Sequence, residues 1–303
     1  MHPEKKLVTA GILGYNRGKK GAIEMIFLND ETALALIPER KDDSHKGDYG
    51  KILLLCGSRG FTGAAALAAR GALRSGAGLV YLAVPESIYA IEATKLDEPV
   101  VMPMPDENGM LSESACEKIR ELLPKMDAVL FGCGSGLGEG PEAVLKLLLT
   151  EAKCPLVIDA DGITLTAKHK DILRDRQFPT ILTPHEGELA RLFPPEGEKQ
   201  QATVAFAKEL GIVLLRKGHR TLITDGEEVY VNFSGNPGMA VGGSGDVLAG
   251  IIVSLLGQGV ALLEAAACAA WFHGRAGDLC AETIGMRGLL PSDMVEMLPR
   301  LLK

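Results

Sequence analysis

Asn236-Pro-Gly-Met-Ala-Val-Gly-Gly-Ser-Gly-Asp246 runs directly into Val247-Leu-Ala-Gly-Ile-Ile252. A glycine-rich loop therefore ends where an apolar helix begins. Successive backbone N–H groups at Gly242, Gly243, Ser244 and Gly245 would form an anion nest, and the helix dipole adds positive potential. Phosphate is the natural ligand of such a loop. Asp246 falls in the first helical turn, where its charge opposes that of a phosphate in the same nest. One reading makes it a helix cap, since Asp is favoured near N-termini. The other makes it a general base that activates a hydroxyl for phosphoryl transfer. The run of glycines and the apolar helix behind them favour the second.

Working outward, short strands and helices alternate. Unbroken apolar runs at 52–56, 79–84, 128–131, 156–158, 180–182 and 212–215 mark strands buried on both faces. Helical patterns fill the gaps at 63–75, 86–95, 112–124, 140–151 and 199–210. Thr221–Thr224 and Glu228–Asn232 flank Asp225-Gly226, a strong hairpin signal. The remainder reads as three helices, 244–256, 261–282 and 291–302. This order predicts an α/β fold: a mostly parallel central sheet, helices on both faces, and an edge hairpin. Residues 26–303 read as one domain, and residues 1–25, with Arg17, Lys19 and Lys20, as an N-terminal extension.

Composition narrows the function. The 303 residues carry 32 Lys+Arg against 39 Asp+Glu, a formal charge of −7, which excludes a simple basic-patch nucleic-acid binder. The apolar fraction of 47% is ample for a core and excludes disorder as the main state. Cysteines 56, 116, 133, 154, 268 and 280 show neither a C-x-x-C nor a zinc-ligand spacing, so they read as reduced thiols of a cytoplasmic protein. The N-terminus lacks the order of a signal peptide. The uncharged stretch from Val247 to Leu263 is broken by Ser254 and Gly257-Gln258-Gly259, so it reads as two buried helices and not a membrane span. Gly132-Cys-Gly134-Ser-Gly136-Leu-Gly138 gives G-x-G-x-x-G in no frame, and P-loop, G-x-S-x-G and H-E-x-x-H signatures are absent.

Gly-x-Gly-Asp at the start of a buried helix resembles the anion hole and catalytic base of the ribokinase-like superfamily. The likeness narrows to the ADP-dependent NAD(P)H-hydrate dehydratases through further motifs. These are His45-Lys-Gly-Asp-Tyr-Gly50, Gly57-Ser58 with Gly60-Phe-Thr-Gly-Ala-Ala65, Asp159-Ala-Asp161, Thr183-Pro-His-Glu-Gly-Glu188 and Lys217-Gly-His-Arg-Thr221. The sequence departs from the family pattern at Ser135, where a proline is expected, and at Val241, where a threonine is.

The resemblance implies a ribokinase-like fold and an activity. Hydrated NADH or NADPH, in its S form, would be dehydrated at the expense of ADP, with AMP and phosphate released. Asp246 would be the catalytic base. Ala64, Gly136, His185 and Asp246 would contact the hydrated nucleotide. Lys217, Gly218, His219, Arg220, Thr221 and Gly245 would bind ADP or AMP. Magnesium is the implied cofactor, with Glu188 as a candidate ligand. Asp159 and Asp161 end a strand and read equally as magnesium-associated acids or as turn residues. On residue type alone, His185 is also readable as a helix-start residue, 217–221 as a solvated turn, and Ala64 and Gly136 as packing positions. The resemblance further implies a homo-oligomer, with a tetramer as candidate, and a separate epimerase as pathway partner. A kinase for a hydroxymethylpyrimidine or thiazole alcohol, and a nucleotide sensor without turnover, are the competing readings; His185 in place of asparagine opposes the first, and a retained base opposes the second.

Overall fold

The computed structural model describes residues 25–193 and 198–303; the rest of the predicted N-terminal extension lies outside the described residues. The chain opens with β1 (Met25–Ile26) and the short α1 (Asp30–Leu34). Next come β2 (Lys51–Leu55), α2 (Thr62–Arg74), β3 (Leu79–Pro85), α3 (Glu86–Lys95) and β4 (Val100–Met104). A small hairpin, β5 (Asp106–Glu107) and β6 (Met110–Leu111), leads to α4 (Ala115–Leu122), β7 (Ala128–Phe131) and α5 (Glu139–Glu151). Then follow β8 (Leu156–Ile158), α6 (Asp161–Thr166), α7 (Lys170–Asp175), β9 (Thr180–Leu182), α8 (Glu186–Leu192) and α9 (Lys199–Leu210). The chain finishes with β10 (Val213–Arg216), β11 (Leu222–Thr224), β12 (Val229–Val231), α10 (Ser244–Gly257), α11 (Leu262–Thr283) and α12 (Pro291–Leu301).

The main sheet has the order β1-β12-β11-β10-β9-β8-β7-β2-β3-β4. All pairings are parallel except β10 with β11 and β11 with β12. This is the ribokinase-like α/β arrangement expected. The Asp225-Gly226 hairpin is β11–β12, and only β1 lies outside it. Met25, assigned above to the extension, pairs with Val229 and so belongs to the sheet. Asp225 builds the turn itself: its Oδ1 accepts from the N–H groups of Glu227 and Glu228, each at 2.8 Å.

The strands are apolar throughout because both faces are covered. Ile52 and Leu54 point into a core shared with α2, α10, α11 and α12, whereas Leu53 and Leu55 point into one shared with α4, α5, α8 and α9. The same alternation runs through β7, where Ala128 and Leu130 face the first core and Val129 and Phe131 the second. On the first face α2 and α10 lie backbone against backbone. A Cβ at Gly71 would sit 2.7 Å from the Val247 carbonyl oxygen, and one at Gly250 would run into the Ala68 carbonyl.

Sheet order also fixes where a ligand can sit. From β2 the chain moves outward to β3 and β4, then returns to place β7 on the other side of β2. The strand order therefore reverses between β2 and β7, and the crevice at their carboxyl ends is the topological switch point where open α/β sheets bind ligands. Among the described residues no helix is long and apolar enough to cross a membrane.

Gly250→Leu should force α10 away from α2 and lower stability by about 1–3 kcal/mol, the usual scale of overpacking. Chemical denaturation checks this; an unchanged midpoint would mean that the two helices separate at no cost.

Candidate active site

The loops that follow β2, β7, β8, β9 and β10 meet the N-terminus of α10 at the carboxyl edge of the sheet. They bring together Ser58–Ala64, Gly132–Gly138, Asp159–Asp161, Thr183–His185, Lys217–Thr221 and the nest. His45-Lys-Gly-Asp-Tyr-Gly50 is not among them: a Cβ at Gly50 would collide with the backbone of Gly257, at the far end of α10. That motif buttresses the helix and does not line the site.

An ion pair forms the centre. Lys217 Nζ donates to Asp159 Oδ1 at 2.6 Å and lies 3.7 Å from Glu188 Oε2. The Thr183 hydroxyl donates to the same Asp159 oxygen at 2.7 Å, and the Cys133 thiol reaches Oδ2 at 3.6 Å. One ligand atom each from Cys133, Asp159 and Asp246 lie within 4.8 Å of one another. Burial, and then the charges of Asp159 and Glu188, act on Lys217; burial lowers its pKa, but the two carboxylates outweigh it and the net shift is upward. The Cys133 thiol is held well above its ordinary range, first by its hydrogen bond with Cys56 and then by burial.

Asp246 occupies the first turn of α10 without capping it. The cap position is Gly243, in the left-handed region at φ 96°, and the helix start has no side-chain cap. The carboxylate is thus left for other work. Burial first, and the neighbouring Asp159 charge second, push its pKa up to about 7, while Cys133 and Lys217 pull the other way. The nest itself abuts the ion pair: a Cβ at Gly245 would lie 3.4 Å from Lys217 Nζ.

His185 proves to be the N-cap of α8. Its Nδ1 accepts from the N–H groups of Gly187 (3.0 Å) and Glu188 (3.1 Å), and Glu188 Oε2 accepts from His185 N at 2.8 Å. A lone pair used at Nδ1 puts the ring proton on Nε2, which lies 3.2 Å from Glu188 Oε1. The side chain remains 56% exposed at the mouth, so capping does not remove it from a ligand's reach.

The loops after β2, β7 and β8 are held by close backbone approach. Asp161 Oδ2 accepts from Gly136 N at 2.9 Å, and the Ser58 hydroxyl donates to the Gly134 carbonyl at 2.8 Å. A Cβ at Gly134 would lie 2.9 Å from Ala64 Cβ, so Ala64 and the 134–136 turn face each other. Met110, from the β5–β6 hairpin, rests its sulfur on Gly136. Between the two acids Ala160 adopts φ 48° and ψ −118°, a conformation that costs a non-glycine residue roughly 1–3 kcal/mol. At the other end of the site the 217–221 turn is exposed at Gly218, His219 and Arg220, with Arg220 at φ 60° and its guanidinium 5.2 Å from the Phe233 ring centre. The Thr221 hydroxyl donates to the Gly218 carbonyl at 3.0 Å and shapes that turn.

Sequence reading named Asp159 and Lys217 separately and did not pair them. It missed Cys133, Thr183 and Met110 as site-lining residues, and also His273, whose Nε2 lies 3.3 Å from the Ser244 hydroxyl beneath the nest. A polar residue in the apolar run of α11 was the available signal for the last of these.

Comparison with known proteins gives the family. The chain is 42% identical over 275 residues to the bifunctional NAD(P)H-hydrate repair enzyme Nnr of Moorella thermoacetica, covering 88% of this chain and 52% of that protein. It thus spans about half the length of such bifunctional relatives. With the ADP-dependent (S)-NAD(P)H-hydrate dehydratase of Cenarchaeum symbiosum it shares 34% identity over 284 residues, 91% of this chain and 96% of the other. A solved structure of the ADP/ATP-dependent NAD(P)H-hydrate dehydratase from Bacillus subtilis, co-crystallised with ATP and Mg2+, superposes with a TM-score of 0.78 at 30% identity, covering 92% of this chain and 98% of that one. The family model for NAD(P)H-hydrate dehydratase matches residues 52–300, a span that takes in the switch-point loops, the Asp159–Lys217 pair and the nest with Asp246, and the chain accordingly belongs to that family.

Proposed function

We propose that the chain uses ADP to dehydrate the S form of hydrated NADH and NADPH, returning NAD(P)H and releasing AMP and phosphate. The observation that carries this reading is Asp246: a carboxylate left uncapped in the first turn of a phosphate-nest helix, with a pKa of about 7. Hydroxide is a poor leaving group, and phosphate is a better one. In this scheme Asp246 takes the proton from the substrate hydroxyl. The freed oxygen attacks the β-phosphorus of ADP, the bond to AMP breaks, and the N–H groups of 242–245 stabilise charge on the transferring group. Phosphate then leaves the ring while the adjacent ring carbon gives up a proton to solvent, and the C–H bond pair restores the double bond. The hydrated ring would lie between Ala64, Gly136 and His185. AMP would rest on the 217–221 turn and Gly245, with the Lys217 ammonium held inward by Asp159.

Magnesium fits this site in the manner usual for phosphate enzymes, bound through one or two carboxylates and the phosphates themselves. Asp159 is the more occupied acid, accepting from Lys217, Thr183 and Cys133. Among the described residues Glu188 Oε1 meets only the half-exposed His185 ring, which makes Glu188 the carboxylate better placed to hold the ion. When bound, the ion would neutralise phosphate charge. The six free thiols support work in a reducing compartment, and a cytoplasmic location, an assembly of several copies and a separate epimerase partner belong to the same proposal.

Incubation of the purified chain with hydrated NADH and ADP should restore the dihydronicotinamide absorbance with one AMP formed per turnover. Phosphorylation of a pyrimidine or thiazole alcohol without hydrate turnover would overturn the reading.

Asp246→Asn should lower turnover about 10²–10⁴-fold, the usual worth of a positioned base, while AMP still binds. In the native protein kcat/KM should fall on the acid side of about pH 7, where Asp246 takes up its proton. Stability carries the opposite sign. The folded pKa of Asp246 lies above the ordinary 3.8, so its contribution weakens as pH rises from about 4 to about 7. Asp246→Asn, which has no proton to lose, should therefore melt higher than the native protein at pH 8. Activity and melting measured on one preparation check both; a fully active variant would show that Asp246 is not the base.

A further inference from the structure

One face of α11 runs along the whole glycine-rich segment. The Ser234 hydroxyl donates to the Trp271 carbonyl at 2.9 Å, and Asn232 Nδ2 donates to the Ala270 carbonyl at 3.0 Å. Nearly one and two turns on, Gly274 and Gly277 are placed where no side chain fits. A Cβ at Gly274 would collide with the Ser234 hydroxyl, and one at Gly277 with the Met239 side chain. Asp278 then takes the loop's entry in two grips: Oδ2 accepts from Gly235 N at 3.0 Å and Oδ1 from Asn236 Nδ2 at 3.1 Å. Arg275 Nη1 lies 3.7 Å from the same Oδ2. At the loop's exit the buried His273 imidazole meets the Ser244 hydroxyl at 3.3 Å. Burial pushes the pKa of His273 down to about 4, so it contacts the nest as a neutral ring and adds no charge to the anion site. By contrast, Val241 and Gly242, in the middle of the segment, are exposed.

The loop is therefore fastened at both ends to one helix and left open between. We infer that His273, Gly274, Gly277 and Asp278 are positioning residues that set the nest in register with Asp246: Asp278 fixes where the loop starts, and His273 where α10 starts. None of them touches the proposed reacting atoms. Their effect would come through the aim of the 242–245 N–H groups, where a displacement of about 1 Å can cost about 10²-fold in rate. The inference extends the proposed function by naming what holds its anion site.

The test compares Asp278→Ala and Asp278→Asn in the full chain. Asp278→Ala removes both grips, whereas Asp278→Asn retains an acceptor for Gly235 N and should retain most of the effect. In Asp278→Ala, kcat with ADP should fall about 10²-fold per folded molecule, with KM for the hydrate nearly unchanged; in Asp278→Asn it should fall less than about tenfold. Hydrogen exchange gives a readout free of activity: amides of 235–246 should lose protection in Asp278→Ala, while those of β2 and β7 keep theirs. A native-like kcat together with native-like exchange in 235–246 overturns the inference. So does a lowered melting temperature with unchanged kcat, which would mark a structural role only. If Asp278→Ala does not fold, Ser244→Ala, which removes the hydroxyl met by His273, takes its place with the same expected split of kcat and KM. If the native chain turns over no hydrate, the functional reading fails, and the exchange measurement still decides whether α11 sets the nest.

Discussion

Lys217 neutralises one of two carboxylates that meet beneath the nest, and the chemistry follows from which one it chooses. It stands 2.6 Å from Asp159, whereas among the described residues Asp246 has no ion-pair partner. Two unpaired charges in a buried corner would be expensive, and such groups escape the penalty by holding a proton. An ammonium, a threonine hydroxyl and a thiol all point at Asp159. Asp246 is pushed up to about 7 by its burial and by that fixed negative neighbour. A carboxylate poised near neutral pH accepts a proton readily and can release it again, which an ordinary exposed aspartate near 4 does poorly. The ion pair therefore sets the charge environment of the proposed base.

The same contact ties the sheet to the site. Asp159 follows β8, Thr183 follows β9 and Lys217 follows β10, three neighbouring parallel strands. Asp159 Oδ1 accepts from both other strand ends, so their carboxyl termini are locked to a single oxygen atom. The strain at Ala160 belongs to this arrangement. Gly132 lies against the Asp159 carbonyl so closely that a Cβ there would collide with it, and Asp161 must turn back to hold Gly136. The backbone between the two acids takes a conformation that only these flanking contacts can impose.

Much of the architecture was legible because it rests on local pattern. Apolar runs found β2, β3, β7, β8, β9 and β10, and Asp-Gly found the β11–β12 turn. The glycine-rich loop and the placing of Asp246 in the first turn of α10 were legible because glycines before an apolar run mark a helix start. What stayed hidden depends on contacts distant in sequence. β4 has no unbroken apolar core, since Pro103 interrupts it and it lies at the sheet edge. α6 and α7 are six residues each, too short to show helical periodicity. The Asp159–Lys217 pair spans 58 positions and exists only because β8 and β10 flank β9. Cys133 read as one more buried thiol until the sheet set it beside two carboxylates.

At His185 an observed cap and a proposed ligand contact fall on one side chain. Asn, Asp and Ser cap helices as well as any residue, and the kinases that this family resembles carry asparagine at the corresponding place. Capping alone therefore gives no reason for an imidazole. The chain uses the same device at His45, where Nδ1 accepts from Gly47 N at 3.1 Å and Asp48 accepts from the His45 N–H at 2.8 Å, far from the site. Both copies place glycine two residues on, where a Cβ would press within 3.0–3.1 Å of the ring. The His-x-Gly-acid box is thus a transferable way to present a flat ring at a helix start while fixing its tautomer. At 45 it stands on a buttress; at 185 it stands at the end of β9, with Nε2–H beside Glu188 and its open edge at the mouth. The cap fixes the orientation of the imidazole, and its place at the end of β9 leaves the ring's open edge where the proposed planar ligand would meet it.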